Sequence, residues 1–140
     1  MDSEENQEEN QDGEWLTRLD GRGWIHNALA ELAKTSDSHD PRAMIAGCKR
    51  SAGMALNGYL RLEFKESWGR TYVEHLRAAA IDDTLPEVVR GRCMRILHAE
   101  PPAGTLVQLR SKRTTNELVE ATKDVVAWVY SEVVKREGNP

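Results

Sequence analysis

Apolar residues recur at helical spacing through most of the chain beyond residue 14. A recurrence at i, i+3/i+4 and i+7 places side chains on one face of a helix. The spacing predicts helices over about Trp24 to Lys34, Pro41 to Leu62, Tyr72 to Ala80, Pro86 to His98, and from Thr114 onward. No stretch of useful length alternates as a strand does. We therefore expect an all-α fold, a compact antiparallel bundle of four to five helices with short loops.

Several helix boundaries have local signals. Asp40 precedes Pro41, which is typical of an N-cap followed by proline in the first turn, and Asp82 to Pro86 repeats the signal. Thr114 and Glu117 have the spacing of a capping box, which predicts the start of the last helix there. Residues 101–104, Pro-Pro-Ala-Gly, end the fourth helix, and residues 104–113 are expected to form a loop with a partial turn.

The second helix contains several small residues that lower its intrinsic helix propensity. These are Gly47, Ser51, Gly53 and Gly58, and each glycine costs up to about 1 kcal/mol relative to alanine. Close approach of neighbouring helices is the expected compensation. A self-complementary dimer face is the alternative.

Charge divides the chain into two parts. Residues 1–14 contain seven acids and no base, which predicts a disordered acidic tail that aids solubility or contacts a partner. Residues 15–140 then hold 16 acids and 19 bases and have a length that suits a single domain. This mildly basic balance does not by itself indicate a nucleic-acid-binding protein.

Other classes of protein are not indicated. No apolar run is long enough for a membrane span, and no secretory signal precedes the first helix. Cys48 and Cys93 lie far apart, which predicts buried, reduced thiols and a cytoplasmic protein. No Glu-x-x-His pair, HExxH motif or phosphate-binding glycine loop is present, so we expect neither a metal nor a cofactor.

The fourth helix carries the one concentration of candidate chemistry. Arginines and a histidine lie on its successive turns, and further bases after the proline loop could extend the same basic surface: Arg90, Arg92, Arg95, His98, Arg110, Lys112 and Arg113. An arginine that holds a phosphate beside a histidine that moves protons could cleave RNA without a metal. The alternative is a solvated face, with the arginines ion-paired to acids such as Glu87 and His98 bonded to a carbonyl. His75, Trp68 and Trp128 are predicted to be structural.

The chain also resembles the HEPN family of helical bundles over residues 41–136. The resemblance rests on the sequence of the second helix, AMIAGCKRSAGMALNGYL, the short helix TYVEHLRAAA, a Leu-Pro before the next helix and the long final helix ELVEATKDVVAWVYSEV. It implies a bundle of four or five helices that commonly forms a homodimer. Many members are RNases with an arginine, four to six residues, and then a histidine, whereas others bind RNA, nucleotides or proteins.

Arg92 and His98 match that spacing, and the resemblance makes them the candidate catalytic pair. The match departs from the active pattern at Cys93, where a polar residue is usual, and it precedes the Pro101-Pro102 break instead of opening the last helix. The leading hypothesis is therefore a non-catalytic HEPN-like module that binds a protein partner, as a homodimer. The alternatives are a metal-independent RNase that uses Arg92 and His98, and a module that binds RNA or a nucleotide without turnover.

Overall fold

The computed structural model describes residues 14–100 and 108–138, with side chains for 15–100 and 116–138. Within these ranges the chain forms six α-helices and a short 3₁₀ helix, and it contains no strand, which confirms the all-α fold class. The α-helices are α1 Glu14–Thr17, α2 Gly21–Ser36, α3 Pro41–Leu62, α4 Tyr72–Ile81, α5 Glu87–Leu97 and α6 Gln108–Glu137. The 3₁₀ helix is Glu66–Trp68, between α3 and α4. None of the described helices is long and apolar enough to cross a membrane.

Helix α3 lies at the centre of the bundle. It packs on α2, α4 and α6, and α5 closes the bundle against α4 and α6. One continuous buried cluster joins these helices, with Leu56, Leu60, Leu76, Val129 and Ile96 among its largest fully buried side chains. Burial of the apolar stripe of each helix is the main source of the bundle's stability.

The small residues of α3 face its neighbours inside the chain. Ser51 donates its hydroxyl hydrogen bond to the Ala28 carbonyl at 2.8 Å. A Cβ added to Gly53 would overlap the Tyr72 ring, and one added to Gly58 would lie 3.2 Å from the Gly21 carbonyl oxygen. The expected close approach of helices is therefore present, and the alternative of a dimer face on this stripe is wrong because the stripe is already covered.

The local signals placed some helix ends correctly. Asp40 caps α3, since its carboxylate accepts a hydrogen bond from the Arg42 N–H at 3.1 Å. Helix α2 begins at Gly21, earlier than the expected Trp24, because Asp20 caps it by accepting from the Gly23 N–H at 2.7 Å. A strong cap thus outweighs the low propensity of two glycines.

Other boundary predictions were wrong. Pro86 is the N-cap residue of α5 and makes no side-chain cap, because Asp82 instead accepts from Thr84 and from Lys65. Helix α6 begins at Gln108, so residues 108–113 are helical, not a loop, and Thr114 lies inside the helix. Leu, Arg, Lys and Gln are good helix formers, and no glycine or proline lies between Gly104 and Gly138 to stop them. Residues 1–13, most of the predicted tail, and the break at 101–104 lie outside the described residues.

Candidate functional site

Helix α5 presents its arginines away from the core. Val89, Cys93 and Ile96 recur at i, i+4 and i+7 and are almost wholly buried. This stripe fixes the rotation of the helix, so that the remaining positions point toward α6 or toward solvent. Arg92, Arg95 and His98 occupy those remaining positions.

The two arginines form ion pairs with acids of α6. Arg92 Nε donates to Asp124 Oδ2 at 2.8 Å, and Arg95 Nη2 donates to Glu117 Oε1 at 2.6 Å. Glu117 precedes Asp124 by two helical turns, whereas Arg95 follows Arg92, so α5 and α6 run antiparallel here. The expectation of ion-paired arginines is met, but by the acids of α6 and not by Glu87.

These ion pairs lie at the surface. The Arg92 and Asp124 side chains are 42% and 52% exposed, and those of Arg95 and Glu117 are 50% and 46% exposed. Solvent screening at such sites leaves each pair worth between about 0 and 1 kcal/mol. Their main consequence is electrostatic, because each guanidinium has a carboxylate in direct contact and presents little net positive charge.

His98 lies at the C-terminal end of α5. Its backbone N–H donates to the Met94 carbonyl at 3.1 Å, and its exposed imidazole makes no hydrogen bond to any described residue. The expected bond from the ring to a carbonyl is therefore absent among the described residues. Arg92 and His98 are six residues apart, which in a helix means about 9 Å along the axis and about 120° around it. The structure does not bring the two candidate catalytic side chains onto one face.

The remaining basic candidates do not complete a basic surface within the described side chains. Arg90 is partly buried, and its Nε has no hydrogen-bond partner. Arg110, Lys112 and Arg113 fall in the first turns of α6, and their side chains lie outside the described set. Their contribution to a binding surface stays a prediction.

His75 is a core residue, as predicted. It is fully buried, its ring stacks on Trp15 with centroids 5.6 Å apart, and Nε2 lies 3.2 Å from the Gly69 carbonyl oxygen. A carbonyl only accepts, so Nε2 carries the proton, and Nδ1 is left without a partner. Burial lowers the pKa of His75 to about 4, so the ring is neutral at physiological pH.

The two tryptophans that were predicted to be structural pack within the fold. Trp68 is buried and donates from Nε1 to Asp82 Oδ2 at 3.2 Å. Trp128 is partly buried, and its ring centroid lies 5.1 Å from the ring centroid of Tyr59. Lys65 covers Trp68 and bonds the same Asp82 carboxylate at 2.7 Å. This cluster joins α3 and α6 to the loop before α5.

Neither the cysteines nor a cluster of metal-ligating side chains offers a reactive site among the described residues. Burial raises the pKa of the Cys93 thiol to about 12 and raises that of Cys48, and both cysteines are free and buried. The described part of the chain contains no group of three or more His, Cys, Asp or Glu residues that could hold a metal ion.

Two features of this site were not predicted from the sequence. The first is the pairing of Glu117 and Asp124 with α5, for which their two-turn spacing was the available signal. The second is Gly91, which lies in the middle of α5 on its exposed side, where a Cβ would meet nothing within 4 Å. The sequence already places this glycine in the middle of a predicted helix. The structure adds that no internal contact requires it.

Comparisons with known proteins leave the site without a template. No protein-family model, curated protein or solved structure matches the chain.

Proposed function

We propose that this chain is a non-catalytic helical module that acts by binding protein, as a homodimer. The observation that carries the proposal is the neutralisation of Arg92 and Arg95 by Asp124 and Glu117. A phosphodiester would have to displace two carboxylates that are already in contact, and those carboxylates would repel it at the same surface.

The α5 surface has the composition of a protein-binding face. Val88 is 61% exposed and Met94 39% exposed, and charged side chains lie beside both. Protein interfaces have an apolar core and a polar rim and are enriched in Met and Arg. The HEPN-like assignment is part of this proposal and is supported by the sequence resemblance together with the all-helical bundle.

A reducing compartment suits the module. Both cysteines are buried thiols, and the structure does not pair them. Disulfides are rare in cytosolic proteins, so we propose a cytoplasmic location.

Catalytic RNA cleavage is the competing function, because Arg95 and His98 share one exposed side of α5. The test is incubation of the purified full chain with labelled single-stranded RNA in EDTA, beside His98→Ala. We expect intact RNA in both samples and no salt-sensitive retention of RNA, together with a dimer mass in light scattering. Cleavage that disappears in His98→Ala would overturn the proposal, and so would RNA retention by a monomer.

A further inference from the structure

The outer side of α5 is a row of exposed residues at helical spacing. Glu87, Val88, Gly91, Met94 and Arg95 lie at i, i+1, i+4, i+7 and i+8, and all are exposed. Positions with this spacing share one side of a helix over about two turns. Among the described residues, the side-chain hydrogen bond from Arg95 to Glu117 of α6 is the one that this row makes to the rest of the bundle.

Gly91 occupies the centre of that row and has no internal role. A glycine within a helix costs about 1 kcal/mol relative to alanine. At Gly53 the bundle compensates this cost, since a side chain there would overlap Tyr72, but a side chain at Gly91 would point into open space. A glycine on an exposed helix face allows a second backbone to approach closely, because no side chain separates the two.

The row complements itself about Gly91. Two copies of α5 that cross antiparallel on a two-fold axis at Gly91 bring together residues equally far before and after it. Val88, three residues before, then faces Met94 of the second copy, three residues after. Glu87, four residues before, faces the second copy's Arg95, four residues after. The two-fold axis repeats both the apolar pair and the charged pair.

We propose that α5 is the homodimer interface, with two copies crossing antiparallel at Gly91. This inference names the partner and the surface of the proposed function and rests on it. Glu87 makes no ion pair with any other described residue, and Arg95 donates to Glu117 from one guanidinium nitrogen, so its remaining N–H groups can donate to Glu87 of the second copy.

The size of the surface sets the expected affinity. One helix of 11 residues offers less than the roughly 1,200 Å² of a standard interface, so the dimer is weak and reversible. We expect a dissociation constant on the order of 10 µM, which corresponds to about 7 kcal/mol.

Mixing two charge-reversal variants tests this geometry directly. Glu87→Arg alone sets two arginines against each other at both ends of the interface, and Arg95→Glu alone sets two acids against each other. In a mixed dimer, both ends regain opposite charges. At one end the arginine introduced by the first variant meets the glutamate introduced by the second, and at the other end the native Arg95 meets the native Glu87. Sedimentation velocity over about 1 to 500 µM gives the dissociation constant of each sample.

We expect wild type to dimerise, each variant alone to weaken the dimer at least tenfold, and the equimolar mixture to recover wild-type affinity. Gly91→Leu, at a position where an added Cβ has no neighbour within 4 Å, should also abolish the dimer while circular dichroism stays unchanged. Glu120→Arg, a charge reversal on the exposed side of α6, is the matched control and should dimerise as wild type does.

The outcomes separate this inference from the proposed function. A wild-type dimer that survives Glu87→Arg and Gly91→Leu would overturn the α5 interface and leave the homodimer standing. Single variants that are monomeric but do not recover on mixing would overturn the antiparallel register. A wild type that stays monomeric at the highest concentration would overturn both.

Discussion

The contact between α3 and α4 and the outer side of α5 use the same residue types in opposite ways. Gly53 lies against Tyr72 with no room for a side chain, whereas Gly91 faces open space. His75 is buried next to the first region, and His98 is exposed at the end of the second. Whether a glycine or a histidine serves internal packing or an external surface therefore depends on its neighbours in the fold. Substitutions in the two regions should have different effects on stability.

The largest expected effect is the loss of stability in Gly53→Ala. Its Cβ would overlap Tyr72, with Cδ1 of the ring at 2.6 Å, and the side chain cannot retreat because its own Cβ is also in the overlap. Overpacking of this kind costs about 3 kcal/mol of unfolding free energy. Gly58→Ala, where the nearest atom is at 3.2 Å, should cost less. Urea unfolding followed by circular dichroism measures both; equal stabilities of Gly53→Ala and wild type would show that α3 and α4 do not pack closely.

Acidification should weaken the packed region through His75. Burial lowers the pKa of His75 from 6.5 to about 4, so below pH 6.5 the unfolded chain binds a proton that the folded chain does not. This contribution to stability is full above pH 6.5 and is lost as the pH falls toward about 4. From pH 7 to about pH 5 we expect a loss of about 2 kcal/mol.

The measurement is urea unfolding at a series of pH values, with His75→Gln as the comparison. Glutamine keeps a donor for the Gly69 carbonyl and does not titrate. The free energy of unfolding should therefore depend less on pH between pH 7 and about pH 5 in the variant, even if the variant is less stable at every pH. Carboxylates whose pKa is lowered, such as Glu74 and Asp82, add their own losses at lower pH. An unchanged slope in His75→Gln would assign the acid sensitivity to other groups.

Gly91→Ala should have the opposite sign from Gly53→Ala. Alanine meets nothing at this position, and its higher helix propensity should raise the unfolding free energy of the monomer by about 1 kcal/mol. Thermal unfolding at low micromolar concentration, where the proposed weak dimer is dissociated, measures this gain. A loss of stability would mean that Gly91 has an internal role and would remove the contrast between the two regions.

The features that were predictable from the sequence are those set by near neighbours along the chain. The Asp40-Pro41 cap, the buried stripe of Val89, Cys93 and Ile96, and the burial of both cysteines follow from local spacing. The start of the last helix was predicted too late, because Thr114 and Glu117 match a capping box, whereas the good helix formers before them extend the helix back to Gln108. Glu117 instead pairs with Arg95, and such a choice of partner depends on how α5 and α6 are packed.

The smallest expected effect concerns the pairs between α5 and α6. A double-mutant cycle with Arg92→Gln and Asp124→Asn should give a coupling of about 0.5 kcal/mol, since both side chains are roughly half exposed. The coupling should fall further in about 1 M salt, where the Debye length is only about 3 Å. A coupling above about 2 kcal/mol would mean that the pair is desolvated, as the α3–α4 contact is. A small coupling would mean that the ion pairs between α5 and α6 add little to stability. The buried stripe of α5 would then be what holds the helix in the bundle.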